Sequence, residues 1–262
     1  MADMLKNSVI IAAHPDDELL WFGAILKRVD QVIVVFEDFW PDPAMGPARA
    51  DALINFPRDG VRSLRLPEAA SYGCADWENP KLSPWGIELS RQCELRDAKQ
   101  IAKRLLGKSN APRAGIRATY KNNFKSLVDQ LGGVLTADMN VFTHNPWGEY
   151  GHEDHVLVHR AVADLRREIG FKLWMSNYCT ERALPLATTY FDSAEPQFEE
   201  LAVDKIFADQ VAQVYREAGC WTWADDWKWF NTECYMQAPQ AQKMLKNQGH
   251  LFPLNMFNID PV

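Results

Sequence analysis

The sequence has no long uncharged apolar run, and so no candidate for a membrane-spanning helix. It has no excess of positive charge. Its 28 Lys and Arg face 35 Asp and Glu, a formal net charge of −7, which leaves no electrostatic footprint for nucleic acid. Cysteines are few: five, at positions 74, 93, 179, 220 and 234, an odd number with no CxxC pair. That pattern argues against a disulfide framework and reads as reduced thiols in a cytoplasmic protein. The stretch from Met1 to Asn7 lacks a secretory h-region, so no leader is expected. There is no internal repeat and no low-complexity linker. Nothing in the sequence sets the oligomeric state.

What is present suits a globular chain. A length of 262 residues with 47% hydrophobic content supports a substantial core. Short, continuously apolar runs alternate with helical stretches. Residues 8–13, 31–36 and 61–66 read as strands, with helices expected over about 18–29 and 48–55. The first two strands, without polar alternation, are those of a parallel sheet covered on both faces. The rhythm breaks at 67–138, too long for a plain crossover, and this stretch reads as a helical insertion capping the site, with helices at about 87–106 and 119–131. It resumes with a strand at 140–143, a helix at about 155–168 and a strand at 171–175. The C-terminal part, about 178–262, reads as an irregular cap with helices at 197–218 and near 238–247. A single domain is the simplest organisation. Ten Trp is high for this length, and four of them lie at 221, 223, 227 and 229.

Two polar clusters organise the chain. His14-Pro15-Asp16-Asp17-Glu18 follows the first strand and opens a helix. Gly148-Glu149-Tyr150-Gly151-His152-Glu153-Asp154-His155 follows the strand at 140–143 and opens another. In an open α/β sheet, turns of this kind lie at the carboxyl ends of strands, where ligands bind. Each cluster alone is also what polar helix caps look like. Together, His14, Asp17 and His155 would supply the two imidazoles and one carboxylate of an open zinc site. Asp16 is then spare and placed to be a general base. His152, with Asp154 fixing its tautomer, would face a developing oxyanion or hand on a proton. His144 reads equally as a supporting group or a buried structural one. His159 reads as a helix-face residue and His250 as an exposed one.

Ala13-His14-Pro15-Asp16-Asp17-Glu18 followed by a Gly-His-x-Asp-His pattern resembles the PIG-L/LmbE-like family of zinc-dependent N-deacetylases. The likeness covers about 8–66 and 140–177, and Glu153 stands where Pro is frequent. The resemblance implies a Rossmann-like, mostly parallel sheet with helices on both faces. It implies Zn2+ on His14, Asp17 and His155, with Fe2+ or another divalent ion as the substitute. It implies a base at Asp16, an electrostatic or acid role at His152 oriented by Asp154, and a mobile Tyr150. Arg49 corresponds to a substrate-binding arginine of several members. Trp147 and His144 are placed at the same pocket. The implied substrate is a small N-acetylated amino sugar, such as an N-acetylglucosamine derivative, or its conjugate, hydrolysed to an amine and acetate. The Trp segment is either a sugar-stacking wall or a tail packed on the core. Two other readings compete: a non-haem iron oxygenase, which uses the same ligand types, and a non-catalytic sugar- or nucleotide-binding protein.

Overall fold

The computed structural model describes residues 4–105, 115–190, 198–238 and 253–259. The first half alternates strand and helix: β1 (Ser8–Ala12), α1 (Asp17–Leu20), β2 (Gln31–Phe36), α2 (Met45–Ile54) and β3 (Val61–Leu66). A small hairpin, β4 (Leu82–Ser83) and β5 (Gly86–Ile87), leads into α3 (Gln92–Leu105) and α4 (Ile116–Gly132). Then come β6 (Asn140–Thr143), α5 (Glu153–Ile169), β7 (Lys172–Met175), β8 (Tyr178–Cys179) and α6 (Leu184–Ala187). β9 (Phe198–Ala202), α7 (Lys205–Glu217), β10 (Thr232–Gln237) and β11 (Asn255–Met256) complete the described chain.

Seven strands form one sheet in the order β3-β2-β1-β6-β7-β10-β9. Pairing is parallel from β3 through β7, and antiparallel on both sides of β10. The alternation of side chains along each strand splits the core in two. Val9, Ile11, Ile33, Val35 and Val141 face the layer built by α4 and α5. Ile10, Ala12, Val32, Val34 and Phe142 face the layer that includes α2 and α7. Burying each such Val, Ile or Phe side chain is worth about 1.5–3 kcal/mol, so both faces must be covered. The mostly parallel, doubly covered sheet expected from the sequence is the one observed.

Four expectations change. The helix expected over 18–29 stops as regular α-helix at Leu20, because the N–H groups of Gly23 and Ala24 donate to the buried Glu233 carboxylate at 3.2 and 2.9 Å. The 197–218 helix divides into β9 and α7, since β10 supplies an antiparallel partner for Phe198–Ala202, with Thr232 opposite Ala202 and Met236 opposite Phe198. The 67–138 stretch is not all cap. Ile116, Tyr120, Phe124, Leu127 and Leu131 of α4 belong to the main core, so α4 serves as a crossover layer. Segment 221–229, whose alternating tryptophans would suit a half-buried strand, forms none. The helix near 238–247 falls outside the described residues apart from Ala238, and His250 lies outside them too.

Candidate active site

β1 lies between β2 and β6, so chain connectivity reverses direction at the β1–β6 seam. The two polar clusters leave the carboxyl ends of these neighbouring strands, at the crevice where an open α/β sheet binds ligands. The Ala13 N–H, donating to His144 Nε2 at 2.8 Å, ties the two strand ends together.

Asp16 caps α1 with φ of 100°, a left-handed conformation that non-glycine residues adopt at a cost. Its N–H donates to Glu18 Oε2 at 3.1 Å, and Glu18 Oε1 accepts from Tyr215 Oη at 2.7 Å, so buried neighbours hold the turn. The turn brings His14 and Asp17 together. Asp17 Oδ2 accepts from the His14 N–H at 2.8 Å and lies 3.1 Å from His14 Nδ1. The other oxygen, Oδ1, accepts from Trp21 Nε1 at 2.7 Å.

The second cluster folds around Glu149. The Asn145 N–H donates to Glu149 Oε1, and the Glu149 N–H to Asn145 Oδ1, each at 2.9 Å. Glu149 Oε2 lies 3.0 Å from His144 Nδ1 and 2.8 Å from His155 Nδ1. One carboxylate therefore orients two imidazoles, whose rings stack at 3.9 Å between centroids. Gly148 makes the turn possible: its φ is +67°, and a Cβ there would sit 2.7 Å from the His152 carbonyl oxygen.

His14, Asp17 and His155 meet where the clusters face each other, all buried. His155 Nε2 approaches Asp17 Oδ2 at 3.2 Å without the geometry of a hydrogen bond, and His14 Nε2 and His155 Nε2 have no hydrogen-bond partner. Orphaned imidazole nitrogens beside a buried carboxylate are costly unless something else satisfies them. A divalent cation does so, and the N, N, O donor set suits zinc. Two overlapping groups of His, Asp and Glu also cluster within reach of an ion. In the His144, Glu149, His155 group, Glu149 already occupies both Nδ1 atoms. In the His14, His152, Asp154 group, His152 Nδ1 is taken by the Asp154 N–H.

The electrostatics agree. Burial alone would depress His14, yet Asp154, Asp17 and Glu68 raise it to about 10. Burial works against His155 in the same way, but Asp17 and Glu149 raise it to about 9. Burial would raise Asp17, and the adjacent His155 and His14 hold it well below the usual carboxylate range. The pocket's buried carboxylates demand positive charge at this spot. Asp16 differs from its neighbour: burial, then the charge of Asp17, raise it to about 7.

Other expected residues divide. The His152 ring stacks on His155 and Tyr72, with centroids 4.7 and 4.9 Å away, and lies 4.8 Å from that of His14. Its Nδ1 accepts from the Asp154 N–H at 3.1 Å, which leaves the proton of a neutral ring on Nε2. Burial, then the charges of His14 and His155, keep His152 well below its ordinary range, so the ring is neutral. The Asp154 carboxylate does not hold His152, contrary to expectation: its Oδ1 accepts from Ser71 Oγ at 2.8 Å and its Oδ2 lies 3.5 Å from His14 Nε2. Tyr150 is half-buried, its ring 5.2 Å from His155 and 5.4 Å from Trp223. Arg49 is buried rather than on the surface, bonding the Asp38 carbonyl oxygen at 2.6 Å and Glu68 Oε1 at 3.3 Å.

Two substrate-pocket expectations need correcting. Trp147 is fully buried, its indole N–H donating to the Tyr178 carbonyl oxygen at 2.8 Å, so it is a core residue. His144 is likewise sealed, both ring nitrogens being used by Ala13 and Glu149. His159 has a partner of its own, the His144 carbonyl oxygen, 2.8 Å from Nδ1.

Sequence reasoning missed Glu149, Glu68, Ser71 and Thr222. Glu149 carried a signal, lying inside the second cluster. Glu68 and Ser71 carried a weaker one, following β3 as the two clusters follow β1 and β6. Thr222, whose hydroxyl donates to Asp16 Oδ2 at 2.7 Å across 206 positions, carried none.

Of the four tryptophans, Trp223 reaches the site mouth, packing edge-on against Trp21 at 5.4 Å and Tyr150 at 5.4 Å. Trp229 turns away to bond Asp209 Oδ1 at 2.6 Å. Trp223→Ala is therefore expected to raise KM or lower kcat by about 10-fold, the scale of losing one aromatic contact. Trp229→Ala should leave both within about twofold. Steady-state kinetics on the four Trp→Ala variants check this, and equal effects from all four would remove the distinction.

No protein-family model matches the chain. It is 26% identical over 170 residues to the 1D-myo-inositol 2-acetamido-2-deoxy-alpha-D-glucopyranoside deacetylase of Saccharomonospora viridis, a match spanning 63% of this chain and 59% of that relative's length. Two solved structures align more distantly. A deacetylase–teicoplanin complex from teicoplanin biosynthesis has 13% identity and a TM-score of 0.47, over 88% of this chain and 97% of that one. The zinc-inhibited form of teicoplanin deacetylase has 13% identity and a TM-score of 0.49, over 89% and 99%. The sequence match to an amino-sugar deacetylase supports the resemblance carried by the two motifs. Among the described residues, no helix is long and apolar enough to cross a membrane.

Proposed function

We infer that this chain is a metal-dependent N-deacetylase of the PIG-L/LmbE-like family, acting on an N-acetylated amino sugar or its conjugate, with 1–262 as one deacetylase domain. One observation carries the reading: two buried imidazoles, each with an Nε2 that lacks a hydrogen-bond partner, close on the Asp17 carboxylate, directly beside a second carboxylate of opposite electrostatic character. The sugar class is supported by the relative's name. Buried, unpaired thiols support a reducing, cytoplasmic setting.

His14, Asp17 and His155 would hold the ion, with zinc favoured by the donor set, and it would supply Lewis acidity and a lowered pKa for water. Asp16 takes the proton of the attacking water. As the water oxygen bonds to the acetyl carbon, the carbonyl oxygen gains negative charge, and the neutral His152 donates its Nε2–H to it. Tyr150 adds a second donor at the half-open side. Asp16 then returns its proton to the nitrogen as the C–N bond breaks, releasing acetate and a free amine. Arg49, beside Glu68, lines the pocket's buried wall. Glu149 keeps His155 in one orientation, the task of an outer carboxylate in a metal site.

The test has two parts. Purified protein should carry about one divalent ion per chain, and His14→Ala or His155→Ala should lose it, read by elemental analysis. A panel of N-acetylated sugars, sugar nucleotides and sugar thiol conjugates should yield acetate with at least one member. Zinc-loaded protein that releases acetate from none would sink the deacetylase reading. Native iron with oxygen-dependent turnover would favour the oxygenase instead.

A further inference from the structure

Segment 220–230 reaches the site as well as walling it. Cys220 N–H donates to the Tyr215 carbonyl oxygen at 2.9 Å, and Arg216 lies over the Trp221 ring at 4.8 Å, which anchors one side of Thr222 to the end of α7. On the other side Trp223 is wedged between Trp21 and Tyr150, with Trp227 packed edge-on at 5.5 Å. Between these anchors Thr222 Oγ donates to Asp16 Oδ2 at 2.7 Å. Glu18 and Tyr215 fix the backbone of Asp16 but make no bond to its carboxylate. Among the described residues, the Thr222 hydroxyl is the only hydrogen-bond donor to that carboxylate.

We propose that Thr222 is a positioning residue for Asp16: it holds Oδ2, leaves Oδ1 to take the proton of the attacking water, and so makes the aromatic C-terminal segment part of the reaction machinery. The proposal rests on the reading of Asp16 as the base. It gives this segment a part in the chemistry, beyond the sugar-stacking wall or packed tail expected from the sequence. A carboxylate held by one oxygen presents the other in a fixed direction. Proton transfer falls steeply when a group is misplaced, by about 100-fold for an ångström.

Thr222→Val removes the hydroxyl at nearly constant shape, and Thr222→Ser keeps it. The first measurement needs no substrate. Amide hydrogen exchange over 220–224 is compared in wild type, Thr222→Val, Asp16→Ala and the double variant. Each single change should speed exchange about 10-fold, and the double should add little, because both remove the same bond. The second is acetate release from N-acetyl-D-glucosamine and from any better substrate found. Thr222→Val should lose about 10- to 100-fold in kcat with KM within about twofold and metal content unchanged, while Thr222→Ser should recover most of the rate. Additive exchange effects, or a Ser variant as slow as Val, would overturn the proposal. Non-additive exchange in a protein that releases no acetate from any probe would overturn the deacetylase reading instead, and with it the catalytic half of the proposal.

Discussion

Asp16→Asn is expected to keep its metal and lose about 10²- to 10⁴-fold in kcat, the usual range for a general base. That is roughly 3–5 kcal/mol of barrier. Its neighbour should behave in the opposite way. Asp17→Asn removes the carboxylate that lies between His14 and His155, so it should lower metal occupancy, and excess zinc should restore part of the activity. The contrast follows from the turn. Asp17 is held well below the usual carboxylate range by the two histidines, outweighing its burial, whereas Asp16 is raised to about 7 by burial and by Asp17. A base must be ionised to act, so the wild-type rate should climb with pH. Its acid limb should lie at or below about 7, because a bound cation lowers the pKa of a nearby carboxylate. Asp16→Asn should flatten that limb. Metal content, kcat and the pH profile measured on both variants decide the assignment. If Asp16→Asn loses metal while Asp17→Asn keeps it, the roles are reversed.

Glu149→Ala should be the most destabilising substitution at the site. It strips the shared partner from His144 and His155 and orphans Asn145 N and Ser176 Oγ, all buried. Breaking a buried charged cluster by removing one partner costs about 3–5 kcal/mol. Linkage gives a similar figure. Burial would raise Glu149, but His144 and His155 win and lower it from 4.5 to about 2, worth about 3 kcal/mol. Because the folded pKa is depressed, that stability is present above about 4.5 and is lost as pH falls through about 2. Urea unfolding of the wild type should therefore weaken across this window, and Glu149→Gln should lack that component. Glu149→Gln should also bind metal about 10- to 100-fold more weakly, since the carboxylate no longer fixes the tautomer and direction of the His155 ring. A Glu149→Ala protein as stable as wild type, with unchanged metal affinity, would show that the cluster is not the centre of the site.

The amino-acid sequence by itself determined the parts whose cause is local. Apolar runs specify the strands buried on both faces, and the observed β1, β2, β6 and β7 fall within a residue or two of those runs, while β3, with Arg62 and Arg65, is a partly exposed edge strand. His14, Asp16 and Asp17 were legible because one turn holds them, and His152 and His155 because a helix N-terminus does. Tertiary structure alone decided whatever depended on a distant partner. Phe198-Glu199-Glu200-Leu201-Ala202 has a composition that suits a helix, but β10 gives it an edge to pair with, and pairing outweighs intrinsic preference. The helix after Asp17 breaks because Glu233, 210 positions from Gly23, accepts its backbone N–H groups. Asp154 turned from His152 to Ser71 because the end of β3 brings a hydroxyl alongside. Thr222 reaches Asp16 only because α7 and the Trp223 wedge deliver it there. Periodicity and motif spacing act over a few residues, whereas a buried polar group must find a partner wherever the fold supplies one.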